Sequence, residues 1–191
     1  MDKSTRINDL YQRYLAEYQN EETVLGDGDI ECPLMMIGEA PGKEEVVQNK
    51  PFVGLAGGNL KQFIDYIGKT RNDFYVTNAI KYRLFKVNPV TNRKSNRPAK
   101  VEEIKQNRDY LLEEIKIINP SIIITLGNVP LKCILGRYDI SIGDYHGKPV
   151  RNDQAILFPL YHPASLIYNR ALEKTYYDDL DQLKSLVKGE E

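Results

Sequence analysis

Apolar positions along this chain come in two spacings, and the two alternate. Ile7, Leu10, Tyr11, Tyr14, Leu15 and Tyr18 recur at helical intervals, so the chain opens with an amphipathic helix whose tyrosine stripe reads as packing. After the turn Gly26-Asp27-Gly28-Asp29, the run Leu34-Met35-Met36-Ile37 is apolar on both faces, as a buried parallel strand requires. Gly54-Leu55-Ala56-Gly57-Gly58 leads into a helix with Leu60, Phe63, Ile64 and Ile67 inward, ended by Gly68. Phe74-Tyr75-Val76-Thr77 is a second strand and runs into Asn78. Residues 84–97 read as a polar loop closed by Pro98, and loops of that length in compact domains are usually functional or disordered.

A long helix follows, with Val101, Ile104, Leu111, Leu112, Ile115 and Ile118 on one side and Glu102 and Glu103 in the first turn, where the helix dipole favours them. Ser121 to Leu126 is the clearest strand, closed by Gly127, and a short helix carries Val129, Leu131, Ile134 and Leu135. Residues 138–149 read as loop and turn; Ala155 to Pro159 is the last strand and leads into Tyr161-His162-Pro163. One C-terminal helix, about Leu166 to Lys188, holds Leu172, Tyr176, Leu180, Leu183 and Val187 at helical spacing. Strands alternating with helices imply a parallel sheet covered on both faces. The expected fold is α/β: a three-layer α/β/α sandwich with a short central parallel sheet. It forms a single domain over residues 1–191, with residues 1–30 as an N-terminal helical extension packed on it.

Composition narrows the class. Hydrophobic residues make up 41% and charged residues 28%, the balance of an ordinary soluble globular protein. No apolar run approaches the roughly 20 residues that span a bilayer, and the N-terminus lacks the apolar segment of a signal peptide. A cytoplasmic protein with no membrane partner is expected. Cys32 and Cys133 are the two cysteines, too few for a disulfide framework or a four-cysteine metal site, and read as small buried residues. Net charge is −1, but no Asp or Glu occurs from Phe74 to Lys100, where Lys81, Arg83, Lys86, Arg93, Lys94, Arg97 and Lys100 all lie. Such a basic stretch on a near-neutral protein suits a docked polyanion, against the plain reading of a solvated loop.

Candidate chemistry sits at two strand ends: Gly38-Glu39-Ala40-Pro41-Gly42 and His162-Pro163-Ala164. In an open parallel sheet ligands bind outside the carboxyl ends of the strands, so a carboxylate and an imidazole converge there. The first segment is not a phosphate loop. Its glycine spacing is one residue short, Glu44 stands where Ser or Thr must reach magnesium, and Glu39 would repel a triphosphate. Taken singly, His162 and Phe52 read as structural, Asn78 as a turn residue and Glu39 as a helix cap; only their joint placement argues for a site.

Four blocks, in order, resemble the family-four uracil-DNA glycosylases. They are Gly38 to Glu45 with Pro51 to Gly57; Val76-Thr77-Asn78-Ala79-Ile80-Lys81; Asn119 to Gly127; and Tyr161-His162-Pro163-Ala164-Ser165-Leu166. The resemblance implies an enzyme that flips a nucleotide into a pocket, because a base inside a duplex cannot be reached. It assigns Phe52 to stacking on uracil and Asn78 to its polar edge, since one amide offers both a donor and an acceptor. His162 is assigned to the uracil carbonyl as charge builds on the departing base. Glu39 is the candidate for positioning water or stabilising a cationic sugar; Ala40 stands where the best-known uracil glycosylases hold an aspartate. Glu45 matches an acidic position near the base pocket that helps exclude thymine. For DNA, the resemblance suggests backbone amides near Gly57 and Gly58 and Ser165 on phosphate, and Leu166 or Ile167 wedged into the stack. The basic stretch with Lys81, Arg83, Arg93, Lys94 and Arg97 would hold the backbone.

The sequence departs from that family in three ways. The family holds an iron–sulfur cluster on four cysteines; here the first pair falls in Leu10-Tyr11-Gln12-Arg13-Tyr14, the third on Tyr82 and the fourth on Asn107, so no cofactor is expected. Asn96 stands where relatives that trap uracil-DNA covalently carry a histidine, so turnover is expected. Val46 replaces a usual aspartate. The resulting expectation is a monomeric, metal-free DNA repair glycosylase that acts on uracil-containing DNA and leaves an abasic site. The alternatives are a glycosylase for hypoxanthine or xanthine, or a non-catalytic module for damaged or single-stranded DNA. His146 is given no role.

Overall fold

The computed structural model describes residues 1–151 and 154–189. Four short strands, β1 (Leu34–Gly38), β2 (Tyr75–Asn78), β5 (Ile122–Leu126) and β7 (Ile156–Leu160), pair in parallel in the order β2-β1-β5-β7. β6 (Val150–Arg151) adds an antiparallel edge beside β7. All residues of the four parallel strands are buried, which is why their sequences are apolar without alternation.

Successive side chains nevertheless serve opposite faces. Met35, Ile37, Tyr75, Ile123 and Leu157 join one core with α1 (Lys3–Glu17), α4 (Val101–Ile118) and α5 (Asn128–Leu135). Leu34, Met36, Val76, Ile124 and Phe158 join the other, with α3 (Leu55–Tyr66) and α8 (Glu173–Lys188). The result is a helix–sheet–helix sandwich in which the chain reverses direction across the sheet at β1, so loops after β1, β2 and β7 share one end. That is the place where such sheets bind ligands.

The segment before β1 closes the sheet's far side. Asp27 and Val76 exchange both backbone hydrogen bonds, at 2.9 and 2.8 Å, and Val24 N–H donates to Lys81 at 2.7 Å. This stretch therefore lies antiparallel along the outer edge of β2. Among the described residues no helix is long and apolar enough to cross a membrane.

Three local expectations are corrected. Within residues 84–97 the chain forms a hairpin of β3 (Phe85–Val87) and β4 (Lys94–Asn96), turned by Asn88, whose Oδ1 accepts from Val90 and Thr91. Most of its side chains are solvated, so no apolar rhythm marked it. Within 138–149, α6 (Ile142–Tyr145) forms under a Ser141 cap. The single C-terminal helix is broken: α7 (Ser165–Tyr168) stops where Asn169 Oδ1 turns back to accept from Ala171 N–H at 3.1 Å, and α8 starts afresh at Glu173. Helix α2 (Lys43–Gln48), which no apolar pattern announced, follows the loop after β1.

Candidate active site

A cleft of about 350 Å³ opens at the carboxyl ends of the strands, walled by Ala40 to Glu45, Phe52, Asn78, Asn96, His162 and Ile167, among others. Three of the four residues expected to act together therefore meet there: Phe52, Asn78 and His162.

Gly38 lies under the wall formed by Phe52 and Asn78. A Cβ at that position would lie 2.6 Å from Asn78 Oδ1 and collide with the tip of the Phe52 ring. Only a glycine lets β1 end with both side chains folded over it. Phe52 itself sits at φ 59, a conformation bulky residues avoid, and its carbonyl lies so close to Gly57 that a Cβ there would collide with it. Asn78 ends β2 and is buried; the N–H groups of Ala79 and Ile80 strap this segment to the carbonyls of Gly38 and Glu39 at 2.8 and 2.9 Å.

His162 follows β7 and packs over Gly127, whose φ of 89 and missing side chain make the room. Ala164 N–H donates to His162 Nδ1 at 3.1 Å. The ring proton therefore sits on Nε2, the donor left on a residue that lines the cleft. Burial lowers the imidazole pKa below its ordinary value, so the ring is held neutral.

The carboxylates differ from expectation. Glu39 does not wall the cleft: its Oε1 accepts from Ala99 N–H at 2.8 Å, across to the segment before α4. Its Oε2 has no hydrogen-bond partner among the described residues, and burial raises its pKa against the opposing effect of the Ala99 bond. Glu45 does line the cleft but spends both oxygens on backbone, accepting from Gly54 at 2.7 Å and Gly42 at 3.1 Å. It clamps the loop after β1 to the loop that carries Phe52.

The proposed DNA contacts need the most correction. Lys81 is 1% exposed and pairs with Glu114 at 2.7 Å, so it cannot meet a phosphate. Arg83 is 6% exposed, bonded to Glu22 and to Asn96 Oδ1. Arg97 is tied to Glu103 at 2.6 Å, and Lys94 to Glu22 at 2.5 Å while lying over the Phe85 ring. Arg93 remains exposed on the hairpin. The amides of Gly57 and Gly58 are used inside α3, both donating to Gly54. Ser165 N–H is spent on the His162 carbonyl, and Leu166 packs against the core beside α3 and α8. Ile167 and Tyr168, 54% and 88% exposed, are the apolar side chains at the cleft mouth. Asn96, which stands at the position of the trapping histidine, lines the cleft as well; the hairpin and Arg83 hold it there, and no local pattern reveals them.

The positions that would carry an iron–sulfur cluster do converge, but with the wrong chemistry. Tyr14 OH donates to Asn107 Oδ1 at 2.6 Å, and the rings of Tyr14, Tyr18, Tyr82 and Tyr110 pack together with centroids 4.6 to 6.4 Å apart. The two thiols are buried elsewhere, Cys32 donating to the Asp73 carbonyl and Cys133 facing that of Ile104. Burial pushes the Cys133 thiol up to about 12. Two such thiols cannot supply four thiolates, so these residues do not fit the cluster.

Residues 25–181 match the family model of the uracil DNA glycosylase superfamily. The chain is 33% identical to a Type-4 uracil-DNA glycosylase of Saccharolobus solfataricus over 88% of its own length and 78% of that protein's. It is 35% identical to one of Sulfurisphaera tokodaii, covering 85% and 74%, and 32% identical to one of Thermotoga maritima, covering 87% and 84%. The matched span runs from the stretch that borders β2 into α8 and so takes in every wall of the cleft. By sequence and by the placement of its pocket, the chain belongs to the uracil-DNA glycosylase superfamily.

Proposed function

We propose that this protein excises uracil from DNA, hydrolysing the N-glycosidic bond and leaving an abasic site. The observation that carries the reading is His162: a neutral ring with its proton on Nε2, in a cleft that also holds an aromatic ring and a buried amide. A flipped uracil slides under Phe52, its polar edge is read by Asn78, and a wrong edge leaves buried groups unpaired. As the bond to the sugar breaks, negative charge gathers on the uracil oxygens, and Nε2–H donates to it as an oxyanion hole does. A neutral donor suits this task, because it needs no proton transfer to a weakly basic leaving group.

Glu39 acts from behind the wall. Ala99 holds Oε1, and Oε2 takes a proton from water or faces the cationic sugar. Exposed Arg93, Ile167 and Tyr168 meet the strand from which the base has left. As part of the same reading, the protein works as a monomer in the cytoplasm on uracil-containing DNA, without an iron–sulfur cluster.

The test is a cleavage assay. Labelled single- and double-stranded oligonucleotides with one uracil are incubated with the protein, treated with alkali and resolved on a gel. Strand breakage at uracil that collapses in His162→Ala is expected. Breakage at hypoxanthine or xanthine alone would move the substrate to another deaminated base. No breakage with tight binding would leave a non-catalytic DNA module.

A further inference from the structure

A fully buried ion pair lies directly behind the base-reading wall. Lys81 Nζ and Glu114 Oε2 are 2.7 Å apart, with side chains 1% and 0% exposed. The Glu114 carboxylate is saturated. Its Oε1 accepts from Tyr11 OH at 2.5 Å and Tyr75 OH at 2.9 Å, and its Oε2 from Thr77 Oγ1 at 3.3 Å. Lys81 sends a second bond forward, from Nζ to the Asn78 carbonyl at 3.2 Å.

A buried pair of this kind is weak evidence of added stability. Two charges removed from water are repaid poorly, and apolar replacements of such pairs are commonly as stable or more so. What the pair does reach is the peptide of the residue that faces the cleft. Asn78 is the last residue of β2; past it the Ala79 and Ile80 amides are tied to the Gly38 and Glu39 carbonyls, while the Asn78 carbonyl itself accepts from the Lys81 ammonium. The ammonium anchors its carbonyl from behind, and Glu114, itself fixed by the hydroxyls of Tyr11, Tyr75 and Thr77, holds the long lysine side chain in place.

We infer that Lys81 and Glu114 are positioning residues for base recognition: they fix the Asn78 peptide, and with it the amide that reads the uracil edge. This inference rests on the uracil-excision reading of the same cleft. It assigns work to a lysine that its sequence neighbourhood marks as a surface DNA contact.

A double-mutant cycle separates positioning from general support. Single-turnover excision and KM are measured for Lys81→Met, for Asn78→Ala and for the two combined. Misplacing a reading group by about an ångström costs on the order of 100-fold, so Lys81→Met is expected to lower kcat by about 30-fold or more with KM for DNA within about 2-fold. In the Asn78→Ala background the same change should cost less than about 2-fold, because residues that act through one another are not additive. If unpaired Glu114 prevents folding, the pair Lys81→Met with Glu114→Gln, which removes both charges and keeps an acceptor for the tyrosines, carries the same cycle. Equal losses with and without Asn78, or wild-type kcat in a folded variant, overturn the positioning role while the excision reading stands. Wild-type protein that leaves uracil untouched overturns both.

Discussion

The Ala164 amide donates to His162 Nδ1 at 3.1 Å, and that one bond decides which ring nitrogen carries the proton. Protonating His162 would place two donors against each other and lose the bond. Burial lowers this pKa, so the neutral ring persists below the ordinary histidine range. Excision rate should stay level as pH falls through about 6.5 and decline only further down. The same sign holds for stability. A histidine whose folded pKa is depressed contributes above its unfolded value, and the contribution is lost as pH falls through the folded one. A pH–rate profile breaking near or above 6.5 that is absent in His162→Gln would contradict this. Removing the donor altogether, in His162→Ala, should cost about 100-fold in kcat.

Gly38→Ala tests the shared wall. The added methyl meets Asn78 Oδ1 at 2.6 Å and the Phe52 ring. Overpacking of this kind costs about 1–3 kcal/mol, read by thermal melting. Because both groups proposed to contact the base move, kcat/KM should fall about 100-fold, more than the stability loss predicts. A melting shift with unchanged kinetics would show that the wall is more plastic than it looks.

Glu39→Gln should separate activity from stability. The side chain keeps an acceptor for Ala99 N–H and loses the buried charge. Burial raises the Glu39 pKa, so the folded state favours the protonated form, and ionisation at neutral pH works against folding. The variant should therefore melt higher than wild type at pH 7, with the difference shrinking toward acid pH, while kcat drops about 100-fold. Unaltered kcat would remove Glu39 from the chemistry.

Tyr14→Phe tests what stands in the cluster's place. Its hydroxyl accepts from Lys81 N–H at 2.9 Å and donates to Asn107 at 2.6 Å. Losing it leaves a buried amide unpaired at a cost of about 1–3 kcal/mol, a fall of several degrees in Tm. Purified wild-type protein should carry no iron by metal analysis and should resist chelators. Stoichiometric iron would show that the protein holds a metal on other donors.

Arg93→Ala should lower the salt slope of DNA binding by about one, since its side chain is exposed on the hairpin. Arg97→Ala should change that slope less, because Arg97 is already committed to Glu103. Fluorescence titrations across a salt series distinguish the two.

How much of this was written in the sequence depended on what surrounds each residue. The four parallel strands were legible because burial on both faces leaves an unbroken apolar run such as Leu34 to Ile37. The hairpin was not, since its residues face water and carry no period. Phe52, Asn78 and His162 were placed by strand ends and by resemblance. Lys81 and Arg83 were misread because their partners, Glu114 and Glu22, lie on other elements, and a charge's neighbours across the fold leave no local mark. Glu39 likewise turns to an amide 60 residues away.

The stretch that pairs with the outer edge of β2 has one further consequence. Its backbone occupies hydrogen-bonding groups that would otherwise offer a ready template for any passing strand. A chain trimmed to start at β1 would lose Tyr11 and Tyr14 from the interior and present a sticky, unpaired border. Such a fragment should gather into oligomers as it folds, so the opening helix and its tail act as a built-in chaperone for the sheet they adjoin.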